Sequence, residues 1–322
     1  MKLQRLALVV AGAGLLAATA GAGPALANSQ SDPKPASTGK AANAVKAAEK
    51  ASTAAAGPCV QTVTWPTGDN FVEKFEVTAG KPPRVSEYAP FNFGTSRYMA
   101  TWYEATNATG TQNFAYGVYL DGGNLMRHTT VFDQDGGVQV TKTKVGAGWA
   151  AFKSISTSNY NVAAPKHSYL YGLNTDGKLY RYAQNGTAYK NLGNFGGFAS
   201  FKAMTVISEA PTYDTLLMTT KGGALYTIHI PTTAVAKPVV KLIRASGWSA
   251  YESLATESCW PRGGSGTLVI GVDHDTDSGF QYAFSKAKGT ATVITSYGKV
   301  PTAFDGTNHA AYTWYKTHLT GE

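Results

Sequence analysis

Charge and cysteine are both scarce in this sequence. Charged residues make up 15% of its 322 positions, and there are two cysteines, Cys59 and Cys259. The basic excess, formally +8, is spread along the chain without a Lys/Arg block or an RNA-binding signature. It favours acidic surfaces in general and gives no ground for nucleic-acid binding. No Gly-x-Ser-x-Gly elbow, His-Glu-x-x-His pair or Gly-rich phosphate loop occurs, which removes the common motif-borne hydrolase, metallopeptidase and nucleotide-binding readings. Beyond the N-terminus no run approaches 20 consecutive apolar residues, so no membrane span is expected.

The first 27 residues have the form of a secretory signal peptide. "MKLQRL" supplies a basic start, an apolar run follows, and the segment ends in small residues at Ala27. The sequence therefore predicts a secreted, extracellular product, and removing Lys2 and Arg5 lowers the formal charge to +6. Residues 28–57, rich in Ala, Lys, Ser, Thr and Pro and without one aromatic, bury too little apolar surface to offset their ordering entropy. They read as a flexible tail, either a spacer or an arm whose "KAANAVKAAEKASTAAA" stretch becomes helical on a partner. In an oxidising compartment Cys59 and Cys259 are expected to form a disulfide. A bridge across 200 residues stabilises by about 5 kcal/mol on the chain-entropy model.

From residue 58 onward the texture is that of an all-β domain: short runs of Tyr, Val, Thr and Phe between Gly, Asp and Asn turns. Two repeats run through it. "GWAAFKSIS", "GFASFKAMT" and "GWSAYESLA" open at Gly148, Gly197 and Gly247, 49 and 50 residues apart. Hairpins with Asp-Gly or Gly-Gly turns recur as "FAYGVYLDGGNLMRHT", "YLYGLNTDGKLYRYA" and "TLLMTTKGGALYTIHI", with a longer turn in "TLVIGVDHDTDSGFQYAF". Registered on Leu125, Leu179, Leu225 and Phe280, the hairpins step by 54, 46 and 55 residues. Two markers thus alternate with one period near fifty, the spacing of propeller blades.

Four full units fall at about 98–147, 148–196, 197–246 and 247–299. The remaining residues hold "VPTAFDG", placing Phe304 where Phe152, Phe201 and Tyr251 stand, and one strand-like run, "HAAYTWY". "VQTVTWP" and "NFVEKFEVTAG" near the N-terminus supply two more strands. A five-bladed β-propeller over residues 58–322 is expected, its last blade built from both chain ends so that sheet edges stay protected. The cysteine bridge would tie this composite blade to its neighbour.

The "GWxxF" lines together with "LNTDGKLYRY" resemble tachylectin-like propeller lectins over about residues 98–299. That resemblance implies shallow pockets repeated around the ring that bind N-acetylated sugars such as N-acetylglucosamine, with no metal, no cofactor and no catalytic step. Fold alone does not fix function, so the residues need their own reading. Trp149, Phe198 and Trp248 serve either as blade-to-blade packing or as a sugar face, and Phe198 in place of Trp predicts unequal sites. The turn set of Asn174, Asp176 and Lys178, with Asp121, Asn124 and Lys221 in neighbouring copies, stands where a propeller exposes loops. Backed by Tyr180 and Tyr226, it is the candidate for holding sugar hydroxyls, although Asp and Asn also suit turns for backbone reasons alone.

Asp273, Asp275 and Asp277 alternate as in a calcium loop. The glycine comes one place late and the twelfth position is Phe284, so an expanded hairpin turn is the expected reading. Glycosidases on propellers need two carboxylates facing across the scissile bond, and no motif pairs Glu104, Glu252, Glu257 or Asp214. The expectation is a non-catalytic binding protein. The competing expectation is an adapter: a rigid ring whose residues 28–57 dock a secreted partner protein, as adapter subunits do in secreted toxin particles.

Overall fold

The computed structural model describes residues 59–66, 71–233, 237–259, 266–305, 312–315 and 318–322. The expected signal peptide (1–27) and tail (28–57) lie outside the described residues. Among the described residues no helix is long and apolar enough to cross a membrane.

The chain opens with β1 (Val60–Pro66), β2 (Phe71–Thr78) and β3 (Arg84–Asn92), paired antiparallel in that order. The two-residue β4 (Tyr98–Met99) then leads into β5 (Trp102–Thr106), β6 (Gln112–Asp121), β7 (Asn124–Asp133) and β8 (Val138–Ala147). The next blade comprises β9 (Phe152–Tyr160), β10 (His167–Asn174), β11 (Leu179–Asn185) and β12 (Ala188–Phe195). After it come β13 (Phe201–Ala210), β14 (Tyr213–Thr220), β15 (Leu225–Pro231) and β16 (Val239–Arg244). The fourth consecutive blade holds β17 (Ser253–Ser258), β18 (Thr267–Asp273), β19 (Ser278–Phe284) and β20 (Ile294–Ala303). Finally β21 (Tyr312–Tyr315) pairs antiparallel with β1 and parallel with β5. It thereby becomes the inner strand of the blade that β1 to β3 began.

The result is a β-propeller of five antiparallel blades closed by both chain ends. We number the composite blade 1 and the others 2 to 5 in chain order. The N-terminal segment supplies three strands to blade 1, one more than the sequence signalled: β3 carries Pro90 on an outer edge, where a missing N–H is tolerated.

One apolar cluster lies between each pair of neighbouring blades. Leu120, Leu125, Trp149, Phe152 and Leu170 fill the space between blades 2 and 3. Leu179, Phe198, Phe201 and Met218 fill that between blades 3 and 4, and Leu225, Trp248, Tyr251 and Val269 that between blades 4 and 5. Trp65, Phe75, Val272 and Phe304 join blade 5 to blade 1, and Phe93, on the connection that leaves blade 1, packs onto Trp102 and Tyr119 of blade 2. Truncating a fully buried leucine such as Leu125 or Leu179 to Ala is worth about 2–5 kcal/mol.

Backbone geometry explains the glycine-aromatic line. Gly148, Gly197 and Gly247 have φ of 81°, 91° and 94°, a left-handed conformation that glycine adopts without a side-chain clash. The reversed chain then aims the next N–H at the preceding blade. Trp149 N donates to Gly123 O at 2.9 Å, Phe198 N to Gly177 O at 2.9 Å and Trp248 N to Gly223 O at 3.0 Å. Phe304 N donates to Asp277 O at 3.0 Å. Phe304 therefore takes the place of Trp149, Phe198 and Trp248, and not that of Phe152, Phe201 and Tyr251 as its sequence spacing suggested. Asp277, the one described non-glycine residue with positive φ (49°), occupies the turn position that Gly177 and Gly223 hold in blades 3 and 4.

The Cys59–Cys259 disulfide joins the residue before β1 to the residue after β17, with Cα atoms 5.4 Å apart. It therefore crosses the seam between blades 1 and 5. Gln61 Nε2 donates to Ala255 O at 2.9 Å and Thr62 N to Glu257 Oε2 at 2.6 Å along the same seam.

Candidate functional site

The connections that carry Trp149, Phe198, Trp248 and Phe304 share one face of the ring with the hairpin turns β6–β7, β10–β11, β14–β15 and β18–β19, because they hydrogen-bond to those turns. This turn face holds all the candidate ligand residues.

Blade 3 offers the fullest set. Asn174 Oδ1 accepts Asp176 N at 3.1 Å, and Asp176 Oδ1 accepts Lys178 N at 3.0 Å, so the turn is shaped by its own side chains. Asp176 Oδ2 accepts the Tyr180 hydroxyl at 3.0 Å and lies 3.3 Å from Lys178 Nζ. For Asp176 a slight burial penalty is outweighed by the Tyr180 and Lys178 hydrogen bonds, which hold its carboxyl below the usual range. The hydrogen bond to Asp176 in turn raises the Tyr180 phenol.

Asp121 and Asn124 close the blade 2 turn opposite one another, and Asp121 Oδ1 accepts Thr95 Oγ1 at 3.0 Å. Lys221 is exposed on the blade 4 turn and fixed by its own N–H, which donates to Ser200 O at 2.8 Å. The three turns thus present three different residue sets.

Trp149 and Trp248 are 5% and 6% exposed and lie beneath the turns. Each begins an aromatic ladder from the interblade core toward the surface. Trp149 contacts Phe152 at 4.4 Å between ring centroids, and Phe152 meets Tyr180 at 5.4 Å. In blade 4 Phe198, Phe201 and Tyr226 are spaced at 5.4 and 5.5 Å. In blade 5 Trp248, Tyr251 and Phe280 are spaced at 5.4 and 6.1 Å. Tyr180 and Tyr226 are half-buried at the ends of their ladders, so the packing and surface roles fall to successive rungs.

Sequence reasoning missed a set of basic stitches on this face. Arg97 donates to Phe152 O at 2.5 Å and Trp149 O at 2.9 Å, Lys153 Nζ donates to Phe201 O at 2.7 Å, and Lys202 Nζ donates to Ser249 O. Each reaches from one blade to carbonyls of the next, and Lys202 also pairs with Glu252 at 2.7 Å. Burial lowers the Lys153 ammonium from its ordinary value. The recurrence of Lys directly after Phe152 and Phe201, at Lys153 and Lys202, was visible in the repeats as their "FK" dipeptide.

The opposite face carries a buried polar network. Asp214, fully buried, accepts Ser158 Oγ at 2.7 Å, the Tyr171 hydroxyl at 2.7 Å and His167 Nε2 at 2.9 Å. Ser158 and His167 both bond the same carboxylate oxygen, so the histidine does not stand between serine and carboxylate as a nucleophilic relay requires. Glu209 accepts Asn159 N at 2.8 Å and Leu319 N at 3.1 Å, and burial pushes its pKa up to about 7. Asp273 Oδ1 accepts Asp275 N at 3.0 Å within the β18–β19 hairpin. Among the described residues no group of three His, Cys, Asp or Glu side chains is placed to hold a metal.

No family model matches the chain, and no curated protein matches it. Solved structures share the propeller outline at low identity. A fungal lectin from Aleuria aurantia, described as a six-bladed β-propeller with fucose recognition, is 14% identical with a TM-score of 0.44, covering 80% of this chain and 85% of that one. SapL1 lectin with α-methyl fucoside is 14% identical, TM-score 0.41, covering 80% and 86%. The catalytic domain of a GH62 α-L-arabinofuranosidase from Coprinopsis cinerea is 12% identical, TM-score 0.40, covering 67% and 73%. Likenesses this distant, to binding proteins and a hydrolase alike, assign no ligand to this chain.

Proposed function

We propose that this protein is a secreted, non-catalytic glycan-binding propeller of the tachylectin-like kind, taking N-acetylated sugars on its turn face. The observation that carries the reading is the surface cluster of exposed Asp176 and Lys178 with half-buried Tyr180, pre-shaped by Asn174 and standing on the Trp149–Phe152 ladder. A carboxylate, an ammonium and a phenol already held in one geometry can exchange their mutual hydrogen bonds for sugar hydroxyls at little ordering cost. Asp121 with Asn124, and Lys221 with Tyr226, form the weaker neighbouring sites, while Trp149 and Trp248 set the ladders from below. Several such sites on one rigid face would act together on a polymer.

The test is retention on immobilised N-acetylglucosamine polymer with elution by free sugar. Asp176→Ala is expected to weaken binding about tenfold, the loss of one charged hydrogen-bonding group. Unchanged binding to every glycan in a panel would sink the assignment of this turn.

The second reading, an adapter that docks a secreted partner through residues 28–57, has a geometric consequence. Cys59, where those residues join the ring, lies at the end of β17 that faces away from the turns. A partner there and a glycan on the turn face would bind independently.

A further inference from the structure

At the foot of blade 2, away from the turn face, lies an open recess of about 480 Å³ lined by Glu104, Thr106, Asn113, Phe114 and Phe132 with two alanines. The β-register explains how they meet. Thr106 pairs with Asn113 and Asn113 with Phe132 across three strands, and Glu104 lies two residues along β5 from Thr106. Strand alternation therefore puts Glu104, Thr106, Asn113 and Phe132 on one side of the blade. Higher up, the same side packs Ala115 and Tyr119 against Phe93 and Trp102. The recess begins where that cluster stops.

Its chemistry differs from that of the turn face. Glu104 is exposed, and no lining residue is Lys or Arg, in a chain whose formal charge is +8. Thr106 Oγ1 donates to Asn113 Oδ1 at 2.8 Å, which leaves the Asn113 amide nitrogen directed to other acceptors. Phe132 is 39% exposed, an apolar wall beside Glu104, Thr106 and Asn113. A carboxylate beside aromatic rings attracts a cation, an amide and a hydroxyl suit ring hydroxyls, and a phenyl face suits the C–H face of a pyranose. The recess is not part of the fifty-residue repeat: registered on Leu125 and Leu179, blade 3 has Gly186 where blade 2 has Phe132.

We propose that this recess is a second saccharide site, specific for an amine-bearing sugar of the glucosamine type and not for its N-acetylated form. Glu104 holds the ammonium, Asn113 and Thr106 hold hydroxyls, and Phe132 covers the apolar ring face. The assignment is independent of the turn-face reading, because the two sites differ in place and in the charge they select.

The test is calorimetric titration of the full chain with a glucosamine tetramer, an N-acetylglucosamine tetramer and choline, using wild type, Glu104→Gln, Phe132→Ala and Asp176→Ala. All three positions are exposed or partly so, and unchanged thermal melting verifies that each variant is folded. The expected result is glucosamine-tetramer binding that falls at least tenfold in Glu104→Gln and Phe132→Ala and is untouched in Asp176→Ala. Equal binding of the N-acetylated tetramer at this site, or insensitivity to Glu104→Gln, would overturn the proposal. Choline binding as tightly as the amino sugar would reduce the site to an ammonium pocket and overturn the saccharide assignment. No binding of the glucosamine tetramer would remove the site altogether. Loss of N-acetylglucosamine binding in Asp176→Ala alone bears only on the turn face.

Discussion

At the residue scale, the fold depends on places where a side chain must be absent. A Cβ on Gly172 would lie 2.7 Å from the ring of Phe152, and one on Gly271 would lie 2.7 Å from Tyr251. These glycines sit on the second strand of their blades, just before the hairpin turn, and let the aromatic of the glycine-aromatic line lie flat on the sheet. Gly172→Ala is expected to cost about 1–3 kcal/mol by overpacking. Gly222→Ala, on a turn with no neighbour within 4 Å, is expected to leave the melting temperature unchanged and is the control. The repeats displayed these glycines, but a repeat shows that a residue recurs and not what it touches. The same is true of Trp149 and Trp248: their recurrence was legible, while their burial follows from how two blades meet.

Glu209 is the residue to watch as pH changes. Burial raises its folded pKa to about 7 from an ordinary 4.5. A group raised in the folded state contributes stability that is complete below its unfolded pKa and is lost as pH rises through its folded one. Stability should therefore decline between about pH 4.5 and 7, by on the order of 3 kcal/mol from this group. Glu209→Gln keeps an acceptor for Leu319 N and removes the titration, so thermal melts of this variant should lose that arm of the pH profile. A profile identical to wild type would show that Glu209 does not govern the slope.

At the element scale, the short C-terminal segment does more than its length suggests. Leu319 is fully buried in the cluster between blades 3 and 4, and its carbonyl accepts Glu209 N at 2.9 Å. Gly321 N donates to Ile207 O at 2.8 Å and Gly321 O accepts Ala287 N at 2.7 Å, tying blade 4 to blade 5. Glu322 receives His229 Nδ1 at 2.8 Å. Leu319→Ala is expected to lower stability by about 2–4 kcal/mol, read in denaturant melts. Nothing in "HLTGE" announces this, because four of its five residues are polar or small and the pairing partners Ile207, Glu209, His229 and Ala287 lie far back in the chain. The hairpins of blades 2 to 4 were legible for the opposite reason: their partners are adjacent and their turns carry Asp-Gly or Gly-Gly. β3 escaped notice because its partner β2 is adjacent but its Pro90 breaks the alternation that marks a strand.

At the scale of the whole molecule, the ring is expected to open first at the seam between blades 1 and 5. The disulfide closes a 200-residue loop there, and its reduction is expected to cost about 5 kcal/mol. Hydrogen exchange after reduction should accelerate first in β1 and β17. If exchange instead rises evenly in all five blades, the seam is not the weak point. Deleting residues 28–57 separates the two functional readings: glycan retention should persist while capture of any partner protein bound to that arm is lost.

The composite blade also sets a schedule. Its inner strand, residues 312–315, is the last of the strands to be synthesised, whereas β1, which it pairs with, is the first. Blades 2 to 5 can each collapse from local hairpins as the chain emerges, but β1 to β3 must wait unpartnered on one side through about 250 further residues. Until then the molecule is an open arc with two unpaired edges, and it becomes a ring only in the closing moments of its own production.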